Sequence, residues 1–329
     1  MQYIELPKSL ASAKLRFMTR LPKKRGITQA EEDKSLILRE LSEAQRTLVE
    51  EILSNISWKY KEGYVKKVLL MRANHLRHEA LGSFLANHGY LSAEIIEKKA
   101  ISYTQFQAGI IESHMAAQEQ SEFDFFSPLI SQAYDVPRIE IPTGKLNSPL
   151  VYNFLEDVEF DLVITFGVSI LSPHLINLLQ QKIVGIHLGL SPYYRGSGTN
   201  FFPFVNSEIA AVGYTLMHLD EGIDTGPIIH QGRAPIVLGD SIHSIGNRNI
   251  RYMFFDIARI LESKLDWNHT SQSSKSSGKL FRRKDFTVES LVIAYQNMNS
   301  GLVARYMENQ TSELKAFPII EYEGIRNLK

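Results

Sequence analysis

Three consecutive stretches decide the fold: Asp161-Leu-Val-Ile-Thr-Phe166, Pro173-His-Leu-Ile-Asn-Leu-Leu-Gln180 and Ile183-Val-Gly-Ile-His-Leu188. The first and third are short apolar runs rich in β-branched residues, the composition of strands covered on both faces. The middle one opens on a proline, whose fixed φ suits a first helical turn, and carries its apolar residues at helical spacing. A helix between two buried strands makes them parallel, because antiparallel neighbours need only a tight turn. The same rhythm extends upstream. Lys67–Met71 reads as a strand, Leu76–His88 as a helix closed by Gly89 in the left-handed conformation, Ala93–Ile96 as a strand and Ile101–Glu122 as a polar helix. Arg138–Ile141 is a third strand and Pro149–Asp157 a further helix. The expectation is an α/β fold, a doubly wound Rossmann-like parallel sheet. Downstream, Asn200–Asn206 reads as a short helix, Val212–Leu219 and Pro227–Pro235 as strands, and a long helix starts near Asp240-Ser241.

The ends of the chain differ from this middle. Residues 1–26 are basic and acid-poor, and Thr28–Ile56 reads as an amphipathic helix opened by a capping box, Thr28 with Glu31. Thr270–Gly278 is Ser- and Lys-rich without an apolar side chain, the composition of a flexible linker. The organisation expected is an N-terminal helical extension over 1–64, a catalytic α/β domain over 65–236, and a C-terminal helix, linker and small subdomain over 237–329. Thirty-six basic and 36 acidic residues leave the 329-residue chain with zero formal charge, which argues against coating nucleic acid or an acidic membrane. Cysteine is absent, so a thiolate nucleophile, disulfides and Cys-ligated metal are excluded. The sequence has neither an apolar run of membrane-spanning length nor a secretory leader, and the cytoplasm is the default location.

Two polar clusters follow strands. One is Gly185-Ile-His187-Leu-Gly-Leu-Ser191-Pro192-Tyr-Tyr-Arg195-Gly196, the other Asp220-Glu221-Gly222-Ile223-Asp224-Thr225-Gly226. Ligands of open parallel sheets bind beyond the carboxyl ends of the strands, and a histidine that meets an aspartate there makes a general acid or base with an orienting carboxylate. A strand-end histidine in a purely structural role is the plainer alternative.

These residues resemble a family. Gly167-Val-Ser-Ile170-Leu-Ser-Pro173, Ile186-His187, Leu190-Ser-Pro192, Arg195-Gly196 and Asp220-Glu-Gly-Ile-Asp224-Thr-Gly226 are similar, in order, to the catalytic segments of enzymes that use 10-formyltetrahydrofolate as formyl donor. That family includes glycinamide ribonucleotide, methionyl-tRNA and nucleotide-amino-sugar formyltransferases. The resemblance implies that His187 serves as oxyanion donor or proton carrier, that Asp224 holds the imidazole and accepts the amine proton, and that no metal takes part. It also implies a pterin pocket lined by Leu171, Leu190 and Pro192, with backbone groups of Glu221, Gly222 and Ile223 reading the ring edge. Dimerisation through the C-terminal part is common in the family, so a homodimer is expected.

One departure stands inside the resemblance. The family carries asparagine two residues before its histidine, and this chain carries Gly185. Loss of one oxyanion donor costs about 10²–10³ in turnover. Either Asn200 or Ser191 supplies the donor, or the enzyme is slow, or the chain binds its ligands without transferring formyl. Hydrolysis of the formyl donor is a further alternative. If the site is merely impaired, Gly185→Asn increases turnover; a decrease means a site rebuilt around glycine. For the acceptor, Ala100–Gln120 holds no Arg or Lys and only about fifty residues follow the linker, which disfavours a tRNA. A small amine on an anionic carrier remains, with nucleotide-linked amino sugars best represented, and Arg72, Asn74 and Arg195 are the expected contacts to it.

Overall fold

The computed structural model describes residues 67–99, 109–130, 134–179, 182–263, 272 and 278–326. The basic N-terminal arm and the helix expected over Thr28–Ile56 lie outside these residues, as does nearly all of the linker. Contacts divide the chain into Met1–Gly63 and Tyr64–Lys329, and the second unit is described here.

The sheet has seven strands. β1 (Val68–Ala73), β2 (Leu91–Lys98), β3 (Arg138–Pro142), β4 (Leu162–Phe166) and β5 (Ile183–His187) are parallel and ordered β3-β2-β1-β4-β5. Every residue of β1 and β4 is buried, which is why those segments read as unbroken apolar runs. The order reverses between β1 and β4, the crevice where doubly wound sheets bind ligands. Helix α1 (Leu76–Asn87) follows β1 and ends where expected, with Gly89 at φ 75° and its N–H donated to Ala86 O.

The sheet departs from pure parallel at one edge. β7 (Tyr214–His218) runs antiparallel to β5, and β8 (Ile228–Gly232) antiparallel to β7. The sequence expectation put both polar clusters beyond carboxyl ends of parallel strands. In the structure His187 pairs with Thr215 at the start of β7, so the turn after β7 leaves at the opposite end of β5 and reaches back to bring Asp224 to His187. A separate two-stranded ribbon joins β6 (Tyr194–Gly196) to β9 (Lys279–Phe281).

Two apolar clusters hold these parts. One lies under the parallel strands and contains Leu69, Met71, Val163, Leu171 and Ile183. The other is aromatic. It gathers Tyr194, Phe201, Phe202 and Phe204 with Leu291, Ala294, Leu302 and Tyr306 of the C-terminal helices Val288–Asn299 and Leu302–Ala316. Phe281 stacks on Phe202 at 3.9 Å between ring centroids. The chain beyond the linker thus shares one core with the loop that follows His187. The long helix Ile242–Glu262 begins at a Ser241–Ser244 capping box and buries a full apolar stripe. No helix among the described residues is long and apolar enough to cross a membrane.

Candidate active site

His187 is the last residue of β5 and is buried. Its Nδ1 lies 3.3 Å from Asp224 Oδ2 and its Nε2 2.9 Å from the carbonyl oxygen of Tyr194. Both partners accept hydrogen bonds, so only the doubly protonated ring satisfies both contacts. Asp224 Oδ2 also accepts the backbone N–H of Gly196 at 2.7 Å. Asp224 sits at φ 53°, a left-handed position that aspartate tolerates better than most residues. No hydrogen bond to Asp224 Oδ1 occurs among the described residues.

The turn that presents Asp224 is braced from within. Asp220 Oδ1 accepts the Gly222 N–H at 3.0 Å and the Thr225 hydroxyl at 2.8 Å. From outside, Gln272 Nε2 donates to the carbonyls of Asp224 and Gly226 at 3.1 and 2.7 Å. Glu221, Gly222 and Ile223 are exposed at the tip, and Ile223 and Ile170 are large apolar side chains left in solvent at 51% and 80%.

A polar lattice fixes the loop after His187. Thr215 Oγ1 donates to Gly189 O at 2.6 Å and accepts Ser191 N–H at 3.0 Å; Gln231 Nε2 donates to Ser191 O at 2.6 Å. Gln231 also pairs through its backbone and its side chain with Ile320, and the Tyr193 hydroxyl donates to Pro318 O at 2.9 Å. At Gly278 a side chain would overlap the Pro192 carbonyl, and the next residue donates Lys279 N–H to Tyr193 O at 2.8 Å. Thr215 and Gln231 are absent from the sequence reading. Their contribution is a backbone contact or a brace, which residue type and spacing do not signal.

The predicted residues do not all converge. His187 and Asp224 meet as expected. Ser191 is fully buried with its hydroxyl unpartnered, and its backbone N–H and carbonyl are held by Thr215 and Gln231. Asn200 lies against Gly246 of the long helix, with its Oδ1 buried and unpartnered. No hydrogen bond joins either of them to His187 among the described residues. Leu171 belongs to the apolar cluster under the strands, Leu190 is fully buried and Pro192 half-buried. Arg72 is corrected: it is buried within β1 and donates to Glu94 Oε1 at 2.7 Å, so its charge is already matched inside the sheet. Asn74 accepts Lys99 N–H at 3.0 Å and ties the ends of β1 and β2 together rather than standing open to a ligand. Arg195 is half-buried on β6 with a buried, unpartnered Nε. Among the described residues no group of three or more metal-ligating side chains forms.

Residues 145–251, which include His187 and Asp224, match the formyl transferase family. Part of the chain is 34% identical over 93 residues to a methionyl-tRNA formyltransferase of Synechocystis sp., covering 28% of each protein. Another alignment, to a dTDP-4-amino-4,6-dideoxyglucose formyltransferase of Mycobacterium bovis, shows 28% identity over 170 residues, half of this chain and 66% of that relative. The chain therefore spans less than two thirds of the length of these curated relatives. Among solved structures, a phosphoribosylglycinamide formyltransferase from Anaplasma phagocytophilum is 20% identical with a TM-score of 0.46, covering 67% of this chain and 100% of the other. Through residues 145–251 the chain is similar to the formyl transferases.

Proposed function

We propose that this protein is an N-formyltransferase that moves a formyl group from 10-formyltetrahydrofolate to a primary amine on a nucleotide-linked amino sugar or similar small carrier. The observation that carries the reading is the sharing of Asp224 Oδ2 between His187 Nδ1 and the Gly196 N–H, inside the segment that matches the family. That arrangement fixes a carboxylate against an imidazole while leaving the second carboxylate oxygen without a protein partner among the described residues.

The chemistry needs one new C–N bond, one broken C–N bond, and one proton moved from the acceptor amine to the folate nitrogen. As the amine attacks the formyl carbon, charge grows on the formyl oxygen, and the His187 Nε2–H is the donor that meets it. That charge competes with the neutral Tyr194 carbonyl for the same hydrogen, and charged acceptors win such contests. Asp224 Oδ1 takes the proton the amine gives up. His187 delivers its Nε2 proton to the departing folate nitrogen, the C–N bond to the folate breaks, Asp224 Oδ1 releases its proton to solvent and the vacated Nε2 takes one up from solvent, while Nδ1–H stays on Asp224 Oδ2. The pair ends as it began.

For the donor, buried Leu171 and Leu190 with half-buried Pro192 supply apolar surface, and solvent-exposed Ile170 and Ile223 supply side chains whose covering by a flat ring would remove them from water. For the acceptor, Arg195 is the remaining cation of the three expected contacts. A tRNA is disfavoured because helix α2 (Gly109–Phe126) contains no Arg or Lys.

Incubation with 10-formyltetrahydrofolate and a panel of nucleotide-linked amino sugars tests the proposal, with tetrahydrofolate release and the mass gain of one formyl group as readouts. Release without a product mass indicates hydrolysis and sinks the transfer reading. Gly185 favours a second reading, ligand binding without transfer, for which neither release nor mass gain occurs although the folate binds.

A further inference from the structure

Side chains two apart on a strand share a face, so residue 185 and His187 look the same way from β5. Around position 185 on that face stand Thr165, its partner on β4, and Met217, its partner on β7. Leu219 lies two residues beyond Met217, the diagonal position from which a long side chain reaches across an antiparallel pair. It fills the place. A Cβ built on Gly185 would overlap Leu219 Cδ2, with Leu219 Cγ at 3.3 Å and Thr165 Oγ1 at 3.6 Å.

Leu219 is half-buried, and its end methyl would have to shift for a side chain at 185 to fit. It packs on the apolar cluster that contains Leu69, Met71, Val163 and Leu171, and close-packed interiors accommodate an added group only by displacement. It also directly precedes Asp220, the residue that braces the turn carrying Asp224. Pushing Leu219 therefore pushes the turn.

We infer that Leu219 is a positioning residue for the reaction proposed above and that Gly185 is its steric counterpart. The glycine admits the leucine, and the seated leucine sets the approach of the Asp220–Gly226 turn so that Asp224 reaches both His187 and Gly196. Gly185 is then a requirement of this site, and an asparagine there disrupts the pair it was expected to assist. The kinetic half of the inference rests on the formyltransferase reading; the steric half does not.

A double-mutant cycle decides it. Gly185→Asn is expected to lower the unfolding midpoint and to reduce kcat by at least about tenfold, as misplacement of a catalytic group does. Leu219→Ala is expected to reduce kcat and to raise the folate KM, because it loosens the turn that carries both Asp224 and Ile223. Combined, Gly185→Asn/Leu219→Ala regains midpoint relative to Gly185→Asn and kcat relative to either single variant. If Gly185→Asn does not accumulate as folded protein, Gly185→Ala in both backgrounds supplies the same cycle. The inference is overturned by a Gly185→Asn protein with wild-type midpoint and turnover, or by a combined variant no better than Gly185→Asn in either readout. Absence of formyl transfer in all four proteins, wild type included, removes the function while the midpoints still judge the steric pair.

Discussion

Among the described residues two histidine–aspartate pairs form, and they have opposite surroundings. In the first, His187 Nδ1 and Asp224 Oδ2 are 3.3 Å apart and the aspartate side chain is 23% exposed. In the second, His230 Nε2 and Asp256 Oδ2 are 3.0 Å apart with side chains 2% and 13% exposed. The second pair is saturated. His230 Nδ1 accepts the Tyr322 N–H at 3.1 Å, Tyr214 donates its hydroxyl to Asp256 Oδ2, and Arg259 reaches Asp256 Oδ1 at 3.1 Å. Burial pushes the Asp256 carboxyl up, and the hydrogen bonds from His230 and Tyr214, with the Arg259 charge, outweigh that and hold it below its ordinary value. Both carboxylate oxygens and both ring nitrogens there are engaged, tying β7, β8, the long helix and the C-terminal segment together. At His187 the ring faces two acceptors and the carboxylate keeps one oxygen free of partners among the described residues. Proximity of His and Asp is common to both pairs; what separates a candidate catalyst from a clasp is unspent hydrogen-bonding capacity beside solvent.

Removing the imidazoles separates the pairs most sharply. His187→Ala is expected to cut formyl transfer by about 10²–10⁴ and to move the unfolding midpoint little, whereas His230→Ala is expected to lower the midpoint strongly and leave turnover of the folded fraction within a few-fold. Equal loss of activity in the two variants, each assayed well below its midpoint, would erase the distinction. Next in size are the carboxylates. Asp224→Asn keeps an oxygen for the Gly196 N–H but no longer takes a proton, and kcat should fall by about 10² while the folate KM holds. Asp256→Asn leaves buried partners of opposite demand and should cost about 1–3 kcal/mol in urea unfolding.

A smaller effect comes from the brace between the pairs. Gln231→Leu removes the side-chain bonds to Ser191 O and Ile320 N together, and a roughly tenfold loss in kcat is expected if the loop depends on them, not recovered by Gln231→Glu, whose carboxylate accepts from Ile320 but cannot donate to Ser191 O. The smallest effect is in pH. Because the folded carboxyl of Asp256 is held below its ordinary 3.8, its contribution is present above that pH and is lost as pH falls through the folded value. The midpoint gap between wild type and Asp256→Asn should therefore be constant near neutrality and shrink below about pH 4; a gap that widens in acid would contradict the saturated-clasp description.

Strand and helix order was legible from Lys67 to Glu262 because the buried parallel strands are nearly unmixed apolar runs and each helix carries a proline, capping or glycine signal. The reversal of direction at β7 was not. Antiparallel and parallel partners of one buried strand have the same composition, and nothing local marks the change. His187 and Asp224 were legible as a pair through their motifs. Arg72 was misplaced because a charge in a strand reads as an end until the facing Glu94 on β2 is seen.

The sequence by itself determined the α/β class, the positions of the two polar turns and the absence of an asparagine before His187, since each is a matter of residue type and spacing along the chain. Only the tertiary structure decided that Leu219 occupies the space beside Gly185, that Ser191 turns inward, and that one His–Asp pair is spent while the other is not. Those depend on which side chains from distant segments compete for the same volume and the same lone pairs, and neither quantity is written in one segment alone.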